Sequence, residues 1–432
     1  MFLFICNGCI RFPFAPCRCY YTLFSFEVPQ HRISLHSAII RIGANAIIIF
    51  QPSIFTERDI FTILTLKKGR ATVTLAKMKM KRESPFMHRK RILLFLTFPF
   101  LCVPTFSNDD KAPVGIMKES KALQARLKEL PYKIAYETYA NNNWELFAMN
   151  ADGSDPINLT NTPDSHEMYP HVSSDGKKIC FVSDEAQNGK KVRCVYFMNI
   201  DGSGRVKVDD HARQPCWSPD GKTIAYLKCK YSRFQINDYA TKEIWFYDWE
   251  TKERKIHPNK DIHHLYNLCW VKIGRWFVAT VHAGMGYSHS NLAIEVDGTR
   301  VYDLGIDGCR PDVSPDGKRI VWGRTDHIIS IADIDFDAAI PKVSAIWDVV
   351  VDELHVYHVD WSPDGNYISY SRGPGGEIPE SGPGTNRGIA ELVGVKGIWD
   401  ICVTPVDSDR EYVDLTARKQ TCKESEWFVP LQ

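Results

Sequence analysis

What this 432-residue chain lacks narrows its function first. The formal net charge is +1 with 24% charged side chains, so no excess of either sign recommends a polyanionic partner. No basic block with interleaved aromatics stands out in the repeats described below, and a nucleic-acid role is not expected. There is no G-x-S-x-G turn, which excludes a serine peptidase built on that nucleophile elbow. Beyond Cys19 no C-x-x-C pair occurs, so a structural zinc site is not expected there. The apolar stretch after Arg91 runs for only about 12 residues, too short for a comfortable membrane span.

What is present is repetition. "MYPHVSSDGKKICFVS" from Met168, "RQPCWSPDGKTIAYLK" from Arg213, "CRPDVSPDGKRIVWGR" from Cys309 and "HVDWSPDGNYISYS" from His358 are variants of one phrase. Pro219, Pro315 and Pro363 preset φ for a type I turn, and Gly221, Gly317 and Gly365 can take the positive φ that closes a bulged hairpin. Alternating apolar residues such as Ile224 and Tyr226 flank the turn, as strands require. A further strand and turn follow, as in "EIWFYDWETKERKI" from Glu243. The unit therefore holds four strands and recurs roughly every 43 to 53 residues, the signature of a β-propeller.

"LYNLCWVKIGRWFVATV" from Leu265 supplies a unit that has lost its Pro-Asp, with Trp270 and Gly274 where Trp217 and Gly221 would stand. A last unit is split. Tyr132 to Thr160 read as three strands without a first, and "KESEWFVP" from Lys423 reads as a first strand with nothing after it. The expectation is an all-β, six-bladed propeller of four-stranded antiparallel blades over 132–432, the C-terminal strand completing the N-terminal blade. Trp217, Trp270, Trp361 and Trp427 are expected to pack between blades.

Upstream the character changes. Residues 1–77 carry no repeat and read as a disordered, non-native extension. Residues 78–107 have the three parts of a signal peptide: basic residues from Lys81 to Arg91, an apolar stretch, then small residues at Thr105 and Ser107. That reading places the true start at Met78, Met80 or Met87 and the product in the periplasm or outside the cell, with no stable span after cleavage. Residues 108–131 form a linker in which "MKESKALQARLKEL" reads as a short helix. In an oxidising compartment some of the eight later cysteines could pair, Cys180 and Cys194 being candidates on neighbouring strands.

"NADGSDPINLTNTP", "YPHVSSDGKKICFVS" and "QPCWSPDGKTIAY" resemble the repeats of the TolB-like, WD40-like (PD40) propellers, over the whole stretch from Tyr132 to the C-terminus. The resemblance is specific for the fold it implies and weak for function. The α/β domain that precedes the propeller in that family is not expected here, since only about 25 residues separate the cleavage site from the first strand.

Aligning the repeats brings out a second regularity. Four residues before Pro170, Pro215, Leu268, Pro311 and Val359 stand His166, His211, His264, Asp307 and His355. Each lies where the chain enters an innermost strand, hence at one mouth of the channel; the split blade offers Thr421 or Cys422. The residue before each Trp or Val gives another layer: His171, Cys216, Cys269, Asp312, Asp360 and Glu426, set either to line the channel or to meet the next blade. The connections "HAGMGYSHSN", with His282 and His289, and "RGPGGEIPESGPGTNRG" fall at the His-bearing mouth.

Three readings of the histidines stay open. They order blade-to-blade connections; or His166, His211, His264 and His355 converge on a divalent transition metal; or the mouth binds an anionic ligand. Oligogalacturonate lyases are propellers of similar repeat style whose axial histidines hold a metal. That analogy implies a metal-dependent lyase or hydrolase of polysaccharide fragments, with His358, Arg310 or Arg213 as base or carboxylate clamp. The leading expectation is an exported, non-catalytic monomer that binds a protein, small molecule or saccharide at the His-bearing mouth.

Overall fold

Each Ser-Pro-Asp-Gly turn is held by its own side chains. The Ser218 hydroxyl donates to the Asp220 carboxylate at 2.5 Å, which also accepts from the backbone N–H of Lys222, while Thr223 N–H donates to Ser218 Oγ at 2.9 Å. Gly221 closes the turn at φ +68°, where a Cβ would be strained. The same arrangement recurs at Ser173, Asp175 and Gly176, at Ser314, Asp316 and Gly317, and at Ser362, Asp364 and Gly365. Where the Pro-Asp is missing, the Trp270 indole donates to the Gly274 carbonyl at 3.0 Å and Gly274 keeps φ +85°.

The computed structural model describes residues 117–375, 391–407, 410–417 and 420–431, with the isolated strand segments Ser25–Glu27, Ala38–Arg41, Ala46–Phe50, Ile60–Lys67, Arg70–Lys77 and Arg91–Leu93. Two units are distinguished, Met1–Asn108 and Asp109–Gln432. In the first, the four segments between Ala38 and Lys77 pair as an antiparallel meander. The sequence reading expects no order there. Apart from Arg91–Leu93, the signal-peptide reading of 78–107 lies outside the described residues.

The second unit is a six-bladed propeller of four-stranded antiparallel sheets. We number the blades in chain order from Lys133–Ala140. In blade 1 the innermost strand is the C-terminal Thr421–Phe428, which pairs antiparallel with Lys133–Ala140 and sets Trp427 opposite Ile134. The innermost strands of blades 2 to 6 are His166–Val172, Ala212–Trp217, Leu265–Trp270, Cys309–Val313 and His355–Trp361. Blade 6 gains a fifth member, Lys118–Glu119, parallel to Glu411–Asp414.

Apolar faces of neighbouring sheets meet. Ile244 and Phe246 of blade 3 share a core with Leu268, Phe277 and Leu292 of blade 4. Trp217, Trp361 and Trp427 are buried and pack toward the preceding blade; Trp270 is partly buried against Phe246 at a ring separation of 5.7 Å. Helix α1, Lys121–Lys128, starts on Ser120, whose hydroxyl accepts from Leu123 N–H at 3.1 Å. Its buried Leu123 and Leu127 join Ile134, Trp427, Ile401 and Val403, so it covers the seam where blades 1 and 6 close the ring.

The described cysteines are all free thiols. Cys180 lies opposite Phe197 and Cys194 opposite Ser183, so the expected pairing of Cys180 with Cys194 fails by register.

Candidate functional site at the channel axis

Every innermost strand carries a β-bulge at the same place. The register shifts between Met168 and His171, Arg213 and Cys216, Tyr266 and Cys269, Cys309 and Asp312, Tyr357 and Val359, and Lys423 and Glu426. One residue in each bulge takes positive φ: Tyr169, Gln214, Asn267, Arg310, His358 and Glu424, at +47° to +56°. For non-glycine residues this conformation costs about 1–2 kcal/mol each. A bulge re-aims a side chain, and these six are re-aimed at the axis. Tyr169 of blade 2 donates from its hydroxyl to Asn267 of blade 4 at 3.3 Å and sits edge-on to His358 of blade 6 at 5.6 Å. Gln214 Oε1 accepts from Asn267 N–H at 3.2 Å.

Buried charges surround this ring. His358 lies 2.5 Å from Glu424, and Arg193 is held by both oxygens of Asp184 at 2.7 and 2.9 Å. Arg310 reaches Asp238 at 3.4 Å and stacks over Tyr266 and Tyr357, its carbon 5.4 and 4.9 Å from their centroids. Lys423 is 3.8 Å from Glu137, whose other oxygen accepts from Tyr169 N–H. Burial alone would push the Glu424 carboxyl up, yet His358, Arg310 and Lys423 hold it below the ordinary range. Burial also pushes the Glu137 carboxyl up, to about 8, and lowers Lys423, so both shift toward the neutral form. Glu137 Oε1, Asp238 Oδ1 and Arg213 Nε are buried without a hydrogen bond.

The second layer meets the next blade. His171 Nδ1 faces Trp217 N–H at 3.4 Å, Asp312 accepts from Trp361 N–H at 3.2 Å, and Asp360 accepts from Trp427 N–H at 2.5 Å. The Cys269 thiol donates to Asp312 at 2.9 Å. Burial lowers His171 to about 3, and Asp312, Asp360 and Glu426 all rise through burial.

The sequence-predicted residues part company. His358 and Arg310 belong to the axial ring itself. Arg213 stands one residue before the ring, its guanidinium taken at 2.6 Å by the carbonyls of Asn237 and Gln235. His166 Nδ1 is 2.6 Å from Asn143 Oδ1, and burial lowers its pKa. His264 bridges Lys230 and the Ala283 carbonyl, both at 2.7 Å. His355 is 2.9 Å from Glu391. His211 sits at φ +50° just before its strand, and Asp307 is exposed, its carbonyl accepting from the Trp322 indole. The bulge register aligns Thr421, not Cys422, with these positions, and its hydroxyl donates to the Gly397 carbonyl.

Each imidazole thus serves its own locality. Among the described residues no three His, Cys, Asp or Glu side chains gather as a metal site, so His166, His211, His264 and His355 do not form the expected ligand set. His282 and His289 face each other across a pair of strands, Nδ1 to Nδ1 3.2 Å, with the Gly308 carbonyl fixing His289 Nε2. Their segment is a tight hairpin between Trp276–Gly284 and Tyr287–Glu295. The Gly/Pro-rich stretch after Gly375 lies outside the described residues up to 390.

The TolB of Acinetobacter baumannii superposes with a TM-score of 0.52 over 91% of this chain and 82% of its own, at 16% identity. The fold is that of a TolB-like β-propeller. An oligogalacturonate lyase in complex with manganese matches this TolB-like chain at TM-score 0.38 and 12% identity, over 55% of this chain and 70% of that one. An oligogalacturonate lyase from Vibrio parahaemolyticus matches at 0.38 and 9%, over 72% and 82%. At such identities the likeness speaks for the fold alone. No family model and no curated protein matches the sequence.

Proposed function

We propose that this TolB-like propeller is an exported, non-catalytic binding protein that takes a protein or small ligand at the mouth where its innermost strands begin. The observation behind this reading is the concentration of buried charge at the axis, on Arg193, Arg213, Arg310, Lys423, Asp184, Asp238, Glu137 and Glu424. An apolar filling would hold the ring together at no desolvation cost, since buried ion pairs add little to stability against apolar replacements. Polar groups fixed in advance by bulges and mutual contacts are suited to recognising a polar partner. The export reading accords with the signal-like segment at 78–107, and N-terminal sequencing of the native protein checks it directly.

Interaction capture tests the binding face. Mouth substitutions, exposed Lys230→Glu with half-buried His264→Ala, are expected to abolish capture of partners that survive Lys222→Glu with Lys318→Glu at the opposite turns. Capture lost only with the turn variants overturns the assignment. The lyase alternative would draw on His358 and Arg310, which belong to the axial ring, but among the described residues no three His, Cys, Asp or Glu side chains gather as a metal site.

A further inference from the structure

Five residues of blade 6's own connection lie across the axial ring. Lys423 of blade 1 donates to the carbonyls of Leu392 and Val395 at 2.9 and 3.0 Å. Arg310 of blade 5 reaches the Glu391 carbonyl at 3.3 Å, and Arg193 of blade 2 reaches the Val393 carbonyl at 3.4 Å. Asp238 of blade 3 accepts from Val393 N–H at 3.4 Å, and His355 of blade 6 meets the Glu391 carboxylate at 2.9 Å. Between these contacts the Val393 side chain is buried at 2% exposure, clustered with Trp144, Met168, Tyr169 and Val182. Gly394 makes the local turn possible at φ +83°; a Cβ there would stand 3.1 Å from Met168 Sδ and 3.2 Å from Arg193 Nη2.

A loop that merely connects two strands of one blade has no need of partners on four others. Gly375 and Ile398 are already register partners, so a short turn would join these strands. Instead the main chain of 391–395 is held through its carbonyls by cations and at the Val393 N–H by a carboxylate, with one apolar side chain sunk among Trp144, Met168, Tyr169 and Val182. That is how a bound peptide is held.

We infer that Glu391–Val395 is a resident stopper, a tethered occupant of the channel mouth that an incoming ligand must displace. This rests on the reading of the mouth as the binding face. The tether keeps the stopper at an effective concentration near the millimolar range, so a free ligand competes at a disadvantage until it makes contacts the stopper lacks. The mouth is therefore closed by default and opened by its ligand.

The test supplies the stopper from outside. In the full chain, residues 376–395 are replaced by a short Gly-Asn turn, and a blocked peptide of sequence ELVGVKG is titrated by calorimetry. The shortened protein is expected to bind the peptide at least about tenfold more tightly than the wild type, whose own segment holds the site. Gly394→Val covers the case in which shortening impairs folding. It leaves every strand intact, should raise acrylamide quenching of tryptophan fluorescence by uncovering Trp144, and should likewise admit the peptide. A shortened or Gly394→Val protein that melts as the wild type does, binds no peptide and shows unchanged quenching overturns the stopper. Peptide binding to the shortened protein, with partner capture indifferent to the mouth substitutions, sustains the stopper and refutes the binding-face reading instead.

Discussion

Between blades 3 and 4, Ile244, Phe246, Leu268, Phe277 and Leu292 meet in a layer with no charged member. On the innermost strands of the same two blades, at the bulge, stand Gln214 and Asn267, and around the ring Arg310, His358, Glu424 and Tyr169. Wall and axis come from one repeat and obey opposite rules. In the wall the repeat keeps residue character, because any apolar side chain of suitable volume fills the gap between sheets. At the axis it keeps only backbone conformation, and six different side chains project from six equivalent bulges. The repeat thus fixes where a site can be, and divergence within it writes the site.

The sharpest way to break this contrast is to damage each part separately. Trp427→Ala, at the wall that closes the ring, is expected to cost about 3–5 kcal/mol in urea unfolding. Asp184→Ala, which removes the carboxylate that pairs with buried Arg193, should cost a similar 3–5 kcal/mol or so, but Asp184→Leu combined with Arg193→Met should recover most of it. Failure of that double variant to recover would mean that the axial charges do hold the ring together. No such rescue is expected for the tryptophan.

A pH series separates them next. Burial first, and Asp312 beside it, raise the Glu426 carboxyl from about 4.5 in the unfolded chain to about 8 in the fold. The native state then keeps a proton that the unfolded chain releases, so its contribution is complete below about pH 4.5 and declines as pH rises to about 8. Melting temperatures measured across that window should fall for the wild type and fall less for Glu426→Gln. The smallest effect belongs to the turns. Asp220→Ala removes two local hydrogen bonds and should cost about 1 kcal/mol without touching the axis. Partner capture should survive it.

The fold was readable because its signals are local. Pro219 with Gly221, and the alternation around Trp217, state a hairpin without reference to the rest of the chain, and closure followed from counting strands at the two ends. The short helix was readable from the helical composition of "MKESKALQARLKEL". The candidate site was half readable. His358 and Arg310 could be picked out by type, but nothing in single letters marks Tyr169, Gln214, Asn267 or Glu424 as their equivalents. Their position immediately before Pro170, Pro215, Leu268 and Ser425 was the available signal, and the residue-type pattern of the histidines drew attention to the wrong offset. Those histidines share a place in the repeat yet spend their nitrogens on Asn143, Lys230, Glu391 and nearby carbonyls.

By itself the sequence determined the blades, their number and the strand that shuts the ring, since turn chemistry and strand alternation act over a few residues. Only the tertiary structure decided which side chains meet at the axis and what lies over them. Tyr169 and Asn267, or Val393 and Arg193, are far apart in the chain. They come together only because six twisted sheets close on a common centre, and a register shift of one residue in each innermost strand sets what faces it.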